Sequence, residues 1–319
     1  MSEEDSVSYS DMDSRGFLLI RDFLDQSEVE MLKQDFESAA LEVNSNYSVR
    51  RLSASAMDRL EPKFRHVNEQ VASQSSVKVD CLNDGVYFST VSEKATLSSP
   101  RKGAQAFPWH QDHENYWMWF DVKNYLNFYM PVVKPVVEKS NLTVVPLDRL
   151  HERAPEIHDK LLGRGATRVL PSGNKWVVKD DNRGGKVGTL DFDPAEIEET
   201  PELRPGDLLL LRGDLIHRTQ DSSTRRVAAS IRYINSETQV PRASLAKGGL
   251  AKMLMMLNAR YLFEPVFQCF DNAEGNSVRA SEIDLHLKQV RERRLSGQEA
   301  QNTSKLAFLS RLTKEKLRG

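Results

Sequence analysis

Short apolar runs cut by turn residues fill the middle of the chain. Gly85–Val91, Ala106–Asp112, Tyr125–Val133, Leu142–Val145, Trp176–Lys179, Val187–Asp191, Asp207–Arg212 and Arg226–Ile234 are rich in β-branched, aromatic or leucine positions, with Gly, Pro or Ser between them. Strands of this length and spacing predict a mainly β protein with flanking helices, built on a double-stranded β-helix of the jelly-roll, cupin-like kind. A strand near Phe17–Ile20 precedes them. Ser27 and Glu30 then make a capping box, and Val29, Leu32 and Phe36 form one apolar stripe, predicting a helix to about Val43. Residues 44–76 are polar and weakly patterned, and predict loops and short helices. The glycine-rich stretch over 150–203 reads as an insertion or lid. Beyond it, Lys252–Phe263, Ser281–Arg294 and the basic stretch Lys305–Arg318 read as helices. The expected organisation is a disordered 1–14, a jelly-roll domain over 15–245 and a helical extension over 246–319.

Composition narrows the function classes. A formal charge of -2 over 319 residues gives no reason to expect a nucleic-acid partner. No apolar run approaches the ~20 residues of a membrane span. The polar, acidic Met1–Asp5 does not resemble a leader, and Ser304-Lys305-Leu306 lies inside the chain. Cys81 and Cys269 stand far apart in unlike contexts, which predicts two reduced thiols in a cytoplasmic protein. Oligomeric state is not legible.

The most informative chemistry is Trp109-His110-Gln111-Asp112, answered by His217. Two imidazoles and one carboxylate are the set that holds non-haem Fe(II) on one face and leaves the other positions open. On a strand His110 and Asp112 point to the same side and can grip one ion together, while His113 faces away into a structural role. His217 follows a Pro205-Gly206 turn, the leucine run Leu208–Leu211 and a second tight turn. His66, His151, His158 and His286 lack such a setting and read as surface residues.

These blocks resemble the phytanoyl-CoA dioxygenase family of Fe(II)/2-oxoglutarate-dependent oxygenases. The resemblance runs from about Gly16 to Tyr233 through Gly16–Leu24, the Trp-His-Gln-Asp block, Asn141–Pro146, the Pro-Gly-Asp run into His217, and Arg226–Tyr233. It departs after Pro146, where Leu147-Asp148-Arg149 replaces the Gly-Ser-His usual in relatives. The resemblance implies His110, Asp112 and His217 as catalytic iron ligands, with 2-oxoglutarate and O2 as co-substrates. Arg226 is the candidate for the far carboxylate of 2-oxoglutarate, a task for a rigid bidentate cation; Arg225 takes it if the register slips by one. Thr219, Gln111, Phe128 and Thr143 match positions where relatives contact the co-substrate, and Asn127 could add an amide. Arg232 shares a face with Arg226, with a neighbouring acidic group its simpler partner.

The implied reaction is oxidative decarboxylation to succinate and CO2, coupled to oxidation of an unactivated C–H bond. Hydroxylation is the default, with desaturation and oxidative cyclisation open. Asp112 stands where halogenating relatives carry a small residue, which disfavours halogenation. The expected substrate is a small carboxylated metabolite, amino-acid-derived or a natural-product intermediate, met by Arg101, Lys102, Arg153 or Lys175. An acyl-CoA hydroxylase of the same family and a non-enzymic metal-binding jelly-roll sensor are the alternatives. Trp117, Trp119 and Phe120 read as packing or cavity wall, and Met253–Leu257 as a docked helix face.

Overall fold

Alternation along two facing sheets decides which side chains meet inside this protein. The computed structural model describes residues 7–44, 48–89, 107–113, 122–221, 223–258, 260–295 and 304–318. The chain opens with α1 (Asp11–Ser14), β1 (Phe17–Ile20), α2 (Gln26–Ser38), β2 (Leu41–Asn44), β3 (Ser48–Arg51), α3 (Ala54–Gln74) and β4 (Cys81–Ser89). It continues through β5 (Tyr125–Val133), β6 (Leu142–Val144), α4 (Leu147–Arg153), α5 (Pro155–Leu161), β7 (Thr167–Ser172), β8 (Lys175–Asp180) and β9 (Lys186–Leu190). Next come β10 (Leu208–Arg212), β11 (His217–Thr219), β12 (Val227–Ile234) and β13 (Gln239–Pro241). The C-terminal part is α6 (Arg242–Ala246), α7 (Leu250–Asn258), α8 (Arg260–Asp271), β14 (Ser277–Arg279), α9 (Ala280–Leu295) and α10 (Lys305–Arg318).

The larger sheet runs β1-β10-β5-β12-β4-β3-β2, every neighbour antiparallel. Opposite it, β6–β11 and β7–β8–β9 are joined by one residue: His110 bridges His217 on one side and Arg168 on the other. The result is a double-stranded β-helix. Leu209, Leu211, Tyr129 and Ala228 face inward with Leu142, Val144 and Leu215. Leu208, Leu210, Leu126, Phe128, Met130, Val132, Val227, Ala229 and Ile231 face outward, under α2 and α3. The leucine run of β10 is therefore buried on both faces, and each such leucine contributes roughly 1.5–3 kcal/mol.

Several expectations are corrected. Met12 of α1 is fully buried, so the described residues 7–14 are held by the core rather than forming a disordered tail. The capping box of α2 uses Asp25 and Glu28, two residues earlier than Ser27 and Glu30. Both pairs fit the pattern, and Ser27 Oγ spends its hydrogen on Asp25 Oδ1 at 2.7 Å. That helix stops at Ser38, and Leu41–Asn44 turn into β2. Where loops and short helices are expected in 44–76, α3 is 21 residues long, capped by Ser53. Its stripe Leu60, Phe64, Val67, Val71 is helical in period but diluted by polar neighbours. The stretch predicted as a helix over Lys252–Phe263 is helical on both sides of residue 259, in α7 up to Asn258 and in α8 from Arg260.

Residues 150–203 contain α4, α5 and the β7–β8–β9 sheet. The C-terminal helices close a separate apolar cluster, Phe263, Phe267, Phe270, Ile283 and Phe308, around Tyr125 and Ile234 at the ends of β5 and β12. Among the described residues no helix is long and apolar enough to cross a membrane.

Candidate active site

His217 is placed by a turn that is itself locked from below. Gly206 opens the segment with φ +96°, and a Cβ there would stand 2.9 Å from the Leu24 carbonyl oxygen, so the turn requires glycine. After β10, the buried guanidinium of Arg212 donates to both carboxylate oxygens of Asp214, at 2.9 and 2.6 Å, and to the Met12 carbonyl at 3.1 Å. Asp214 also accepts from the Gly163 N–H at 2.8 Å. The next strand then pairs with the metal-type motif: His217 N donates to His110 O and His110 N to His217 O, each at 2.9 Å.

That reciprocal pair sets the two imidazoles side by side, ring centroids 4.3 Å apart. His110 Nδ1 lies 2.7 Å from the Pro108 carbonyl and His217 Nδ1 lies 3.0 Å from the Leu215 carbonyl. A carbonyl only accepts, so each Nδ1 carries a hydrogen and each Nε2 is the nitrogen left to face an ion. Asp112 Oδ1 stands 3.5 Å from His217 Nε2. One donor atom from each of His110, Asp112 and His217 falls within 4.8 Å of the others. Burial, then the neighbouring His217 and His113, hold the His110 imidazole well below its usual pKa, in the neutral form a metal requires. Two imidazoles and a buried carboxylate fit Fe(II). The motif does this without a regular strand: residues 107–113 make only bridges at His110 where a strand over Ala106–Asp112 is expected.

Gln111 points the other way and is fully used. Its amide nitrogen donates to the Leu161 carbonyl at 3.2 Å and the Asp214 carbonyl at 2.6 Å, and its oxygen accepts from Thr167 Oγ1 at 2.8 Å. The expectation that it contacts the co-substrate is corrected: it ties the His110–Asp112 motif to the turn carrying His217. Gln111→Leu is therefore expected to cost about 1–3 kcal/mol for the buried groups it strands. It should also weaken iron retention about 10–100-fold, read by thermal unfolding and by iron dissociation. His113 Nε2 is 3.1 Å from Asp181, which also pairs with Arg168, while its ring centre lies 5.9 Å from that of His110. Burial opposes ionisation of Asp181, but the hydrogen bonds from His113 and Arg168 outweigh it and hold that carboxyl low.

A cationic group, Arg226, sits against Ser140, just before β6, the strand paired with β11. Arg226 is buried and Arg225 exposed. Arg226 Nη1 donates to the Ser140 carbonyl at 2.6 Å, and its guanidinium lies 5.5 Å from the Tyr129 ring centre. The adjacent Asn141 carbonyl accepts from Gln220 N, while Leu142 pairs with Thr219 and Val144 with His217. The Tyr129 hydroxyl is buried with no hydrogen-bond partner among the described residues. Burial raises its pKa, against the pull of Arg226, so it stays a donor. Burial and then the Arg226 charge push the Lys134 amine down to about 8. Glu138, Glu202 and Asp221 act in the opposite direction on that amine.

Two further co-substrate expectations are corrected by alternation. Phe128 faces the outer layer, 5.2 Å centre to centre from Phe64 and 5.3 Å from Tyr233. Thr143 lies between inward Leu142 and Val144 and bonds outward to Thr200 Oγ1 at 2.8 Å. Thr219 is buried on the same face as His217. Asn127 faces inward but accepts from Ser230 Oγ at 2.7 Å. The apolar set Leu126, Phe128, Met130 and Val132 marks the odd positions of β5, Tyr129 among them, as its inner face, while Lys134 follows β5 and no alternation places it. Arg232 is buried, with its guanidinium 5.4 Å from the Phe88 ring. Arg153 is taken up by Glu196 at 3.5 Å, and Lys175 is exposed. Arg101, Lys102, Trp117, Trp119 and Phe120 lie outside the described residues.

Residues 12–228 match the family model described as phytanoyl-CoA dioxygenase (PhyH). The chain belongs to the phytanoyl-CoA dioxygenase family. As a member of it, the protein is an Fe(II)/2-oxoglutarate-dependent dioxygenase that acts on a small molecule and uses O2. No curated protein matches it. Similar solved structures include SnoN, an epimerase crystallised with Fe3+, α-ketoglutarate and nogalamycin RO, at 18% identity and TM-score 0.48, covering 72% of this chain and 83% of that one. The carbocyclase SnoK of nogalamycin biosynthesis gives 13% and 0.49, covering 80% and 90%. EctD from S. alaskensis, with 2-oxoglutarate and 5-hydroxyectoine, gives 13% and 0.46, covering 73% and 76%. The family assignment stands on residues 12–228 alone.

Proposed function

We propose that His110, Asp112 and His217 hold Fe(II), that Arg226 and Tyr129 receive the far carboxylate of 2-oxoglutarate, and that the enzyme oxidises a C–H bond of a small carboxylated metabolite. The observation that carries this reading is the convergence of two imidazole nitrogens on one carboxylate, with the buried Arg226 guanidinium on the Ser140 carbonyl just before β6. When bound, iron with 2-oxoglutarate and O2 supplies the oxidising power. The protein's own residues supply position. Gln111 and the Arg212–Asp214 pair fix the donors, the two Nδ1–H bonds fix the tautomers, and the apolar interior excludes water.

The carboxylated class is supported by a second cation. Arg226, Ala228, Ser230 and Arg232 share the inner face of β12 and its entry, so buried Arg232 stands at the opposite end from Arg226. It is the side chain to which a substrate carboxylate would be drawn. Burial, then Asp284, pushes the Cys81 thiol up to about 12, and its Sγ lies 3.8 Å from Asp284 Oδ2. Nothing in the charge balance favours a nucleic-acid partner.

The test is succinate formation by the iron-loaded enzyme against a panel of carboxylated amino-acid derivatives, their amides and acyl-CoA thioesters. Stimulation by a carboxylate but not its amide, weakened in Arg232→Met, is expected. Stimulation by acyl-CoA alone would replace this substrate class.

A further inference from the structure

A second set of metal-type donors lies at the corner where α4 meets α5. We propose that His151, His158 and Asp159 form a surface site for a divalent transition metal of the zinc, nickel and copper group, separate from the iron centre. The sequence offers no reason to join them, because His151 and His158 stand seven apart and neither neighbours a metal-type motif. The fold joins them by omitting a loop. Ala154 alone separates the two helices, at φ -149° and ψ 67°, and Pro155 starts α5 immediately. Buried Leu150, Ile157 and Leu161 hold both helices to the β7–β8–β9 side, so the positions following Leu150 and Ile157 are fixed by packing while their imidazoles reach the surface.

The geometry matches an ion better than it matches protons. His151 Nδ1 is 3.3 Å from His158 Nδ1, which is 3.0 Å from Asp159 Oδ1. Donors bound at about 2.0–2.1 Å in a tetrahedral set stand about 3.3 Å apart. The three donor atoms fall within 4.8 Å of one another, as those of the iron triad do. One hydrogen on His158 Nδ1 can serve both neighbours only as a shared bond, whereas an ion takes all three donors at once. The rings meet edge to face at 4.8 Å, which leaves the nitrogens turned toward each other. The His158 side chain is 13% exposed and that of Asp159 70%, so an ion has access and water can complete its coordination.

Imidazole nitrogen with one carboxylate favours zinc, nickel and copper over iron by intrinsic affinity. An ion here would fasten α4 to α5. The end of α5 also carries the Leu161 carbonyl that receives Gln111, so the clamp would brace the segment on which the iron motif leans.

The experiment is equilibrium dialysis of the full chain against low-micromolar zinc, followed by metal analysis. The iron triad also takes zinc, so the wild type is expected to hold two zinc ions, His217→Ala one, and the His151→Ala/His158→Ala double variant one. Combining all three changes should leave none. The double variant should keep its iron-loaded succinate formation and circular dichroism, because neither residue touches the triad. Asp159→Asn, altered at a largely exposed carboxylate, should lower the affinity of the same zinc without disturbing packing. Equal zinc content in the wild type and the double variant, or unchanged affinity in Asp159→Asn, overturns the site.

Discussion

His217→Ala is expected to abolish both iron retention and succinate formation while leaving the fold in place. The fold survives because the bonds that seat this residue are backbone ones: His217 N to His110 O, and the reverse, need no imidazole. The Arg212–Asp214 pair and the Gln111 amide that brace the turn are likewise untouched. What is lost is one of three protein donors within 4.8 Å of each other. Changing a residue that merely orients a ligand costs about 10–100-fold in metal affinity, and removing a ligand exceeds that. Iron content after desalting should fall to near zero, with no detectable turnover. Retention of stoichiometric iron and activity would remove His217 from the centre.

Arg226→Ala carries the second large effect, and it should be confined to the co-substrate. A charge-assisted bond to a carboxylate contributes about 1.5–3 kcal/mol, so the 2-oxoglutarate requirement should rise roughly 10–150-fold. Iron binding should stay near the wild-type level, because Arg226 bonds the Ser140 carbonyl rather than any member of the triad. Arg225→Ala is the internal control: that side chain is exposed, and its removal should leave the requirement unchanged. The opposite result, a large effect at Arg225 and none at Arg226, would place the co-substrate elsewhere.

The parts legible in the sequence were those where one residue type has one physical use. The leucine run of β10, the glycine at Gly206 and the paired spacing of His110 and Asp112 each admit few arrangements, and the sheets and the triad followed from them. The residues around the triad were less legible, because position in a motif does not say which way a side chain points. Gln111, Phe128 and Thr143 all sit beside inward residues and all face away from the interior. For Phe128 and Thr143 the alternation of their own strands carries that information. For Gln111 the decisive partners, Leu161 and Asp214, lie 50 and 103 residues away. The helix α3 was hidden for another reason: its stripe is regular, but polar positions outnumber it. His151 and His158 became a pair only through a helix–helix corner that no local pattern announces.

The central claim is that the His110, Asp112 and His217 centre binds iron and 2-oxoglutarate together and activates O2. The most direct measurement is an anaerobic titration of the purified protein with Fe(II) and 2-oxoglutarate, followed in the visible range, and then admission of O2 with assay of succinate. A weak visible charge-transfer band at one equivalent, absent in His217→Ala, followed by slow succinate release even without substrate, is the predicted result. Iron bound without the band, and no succinate after O2, would contradict the account and leave a metal-binding jelly roll with no oxygenase chemistry.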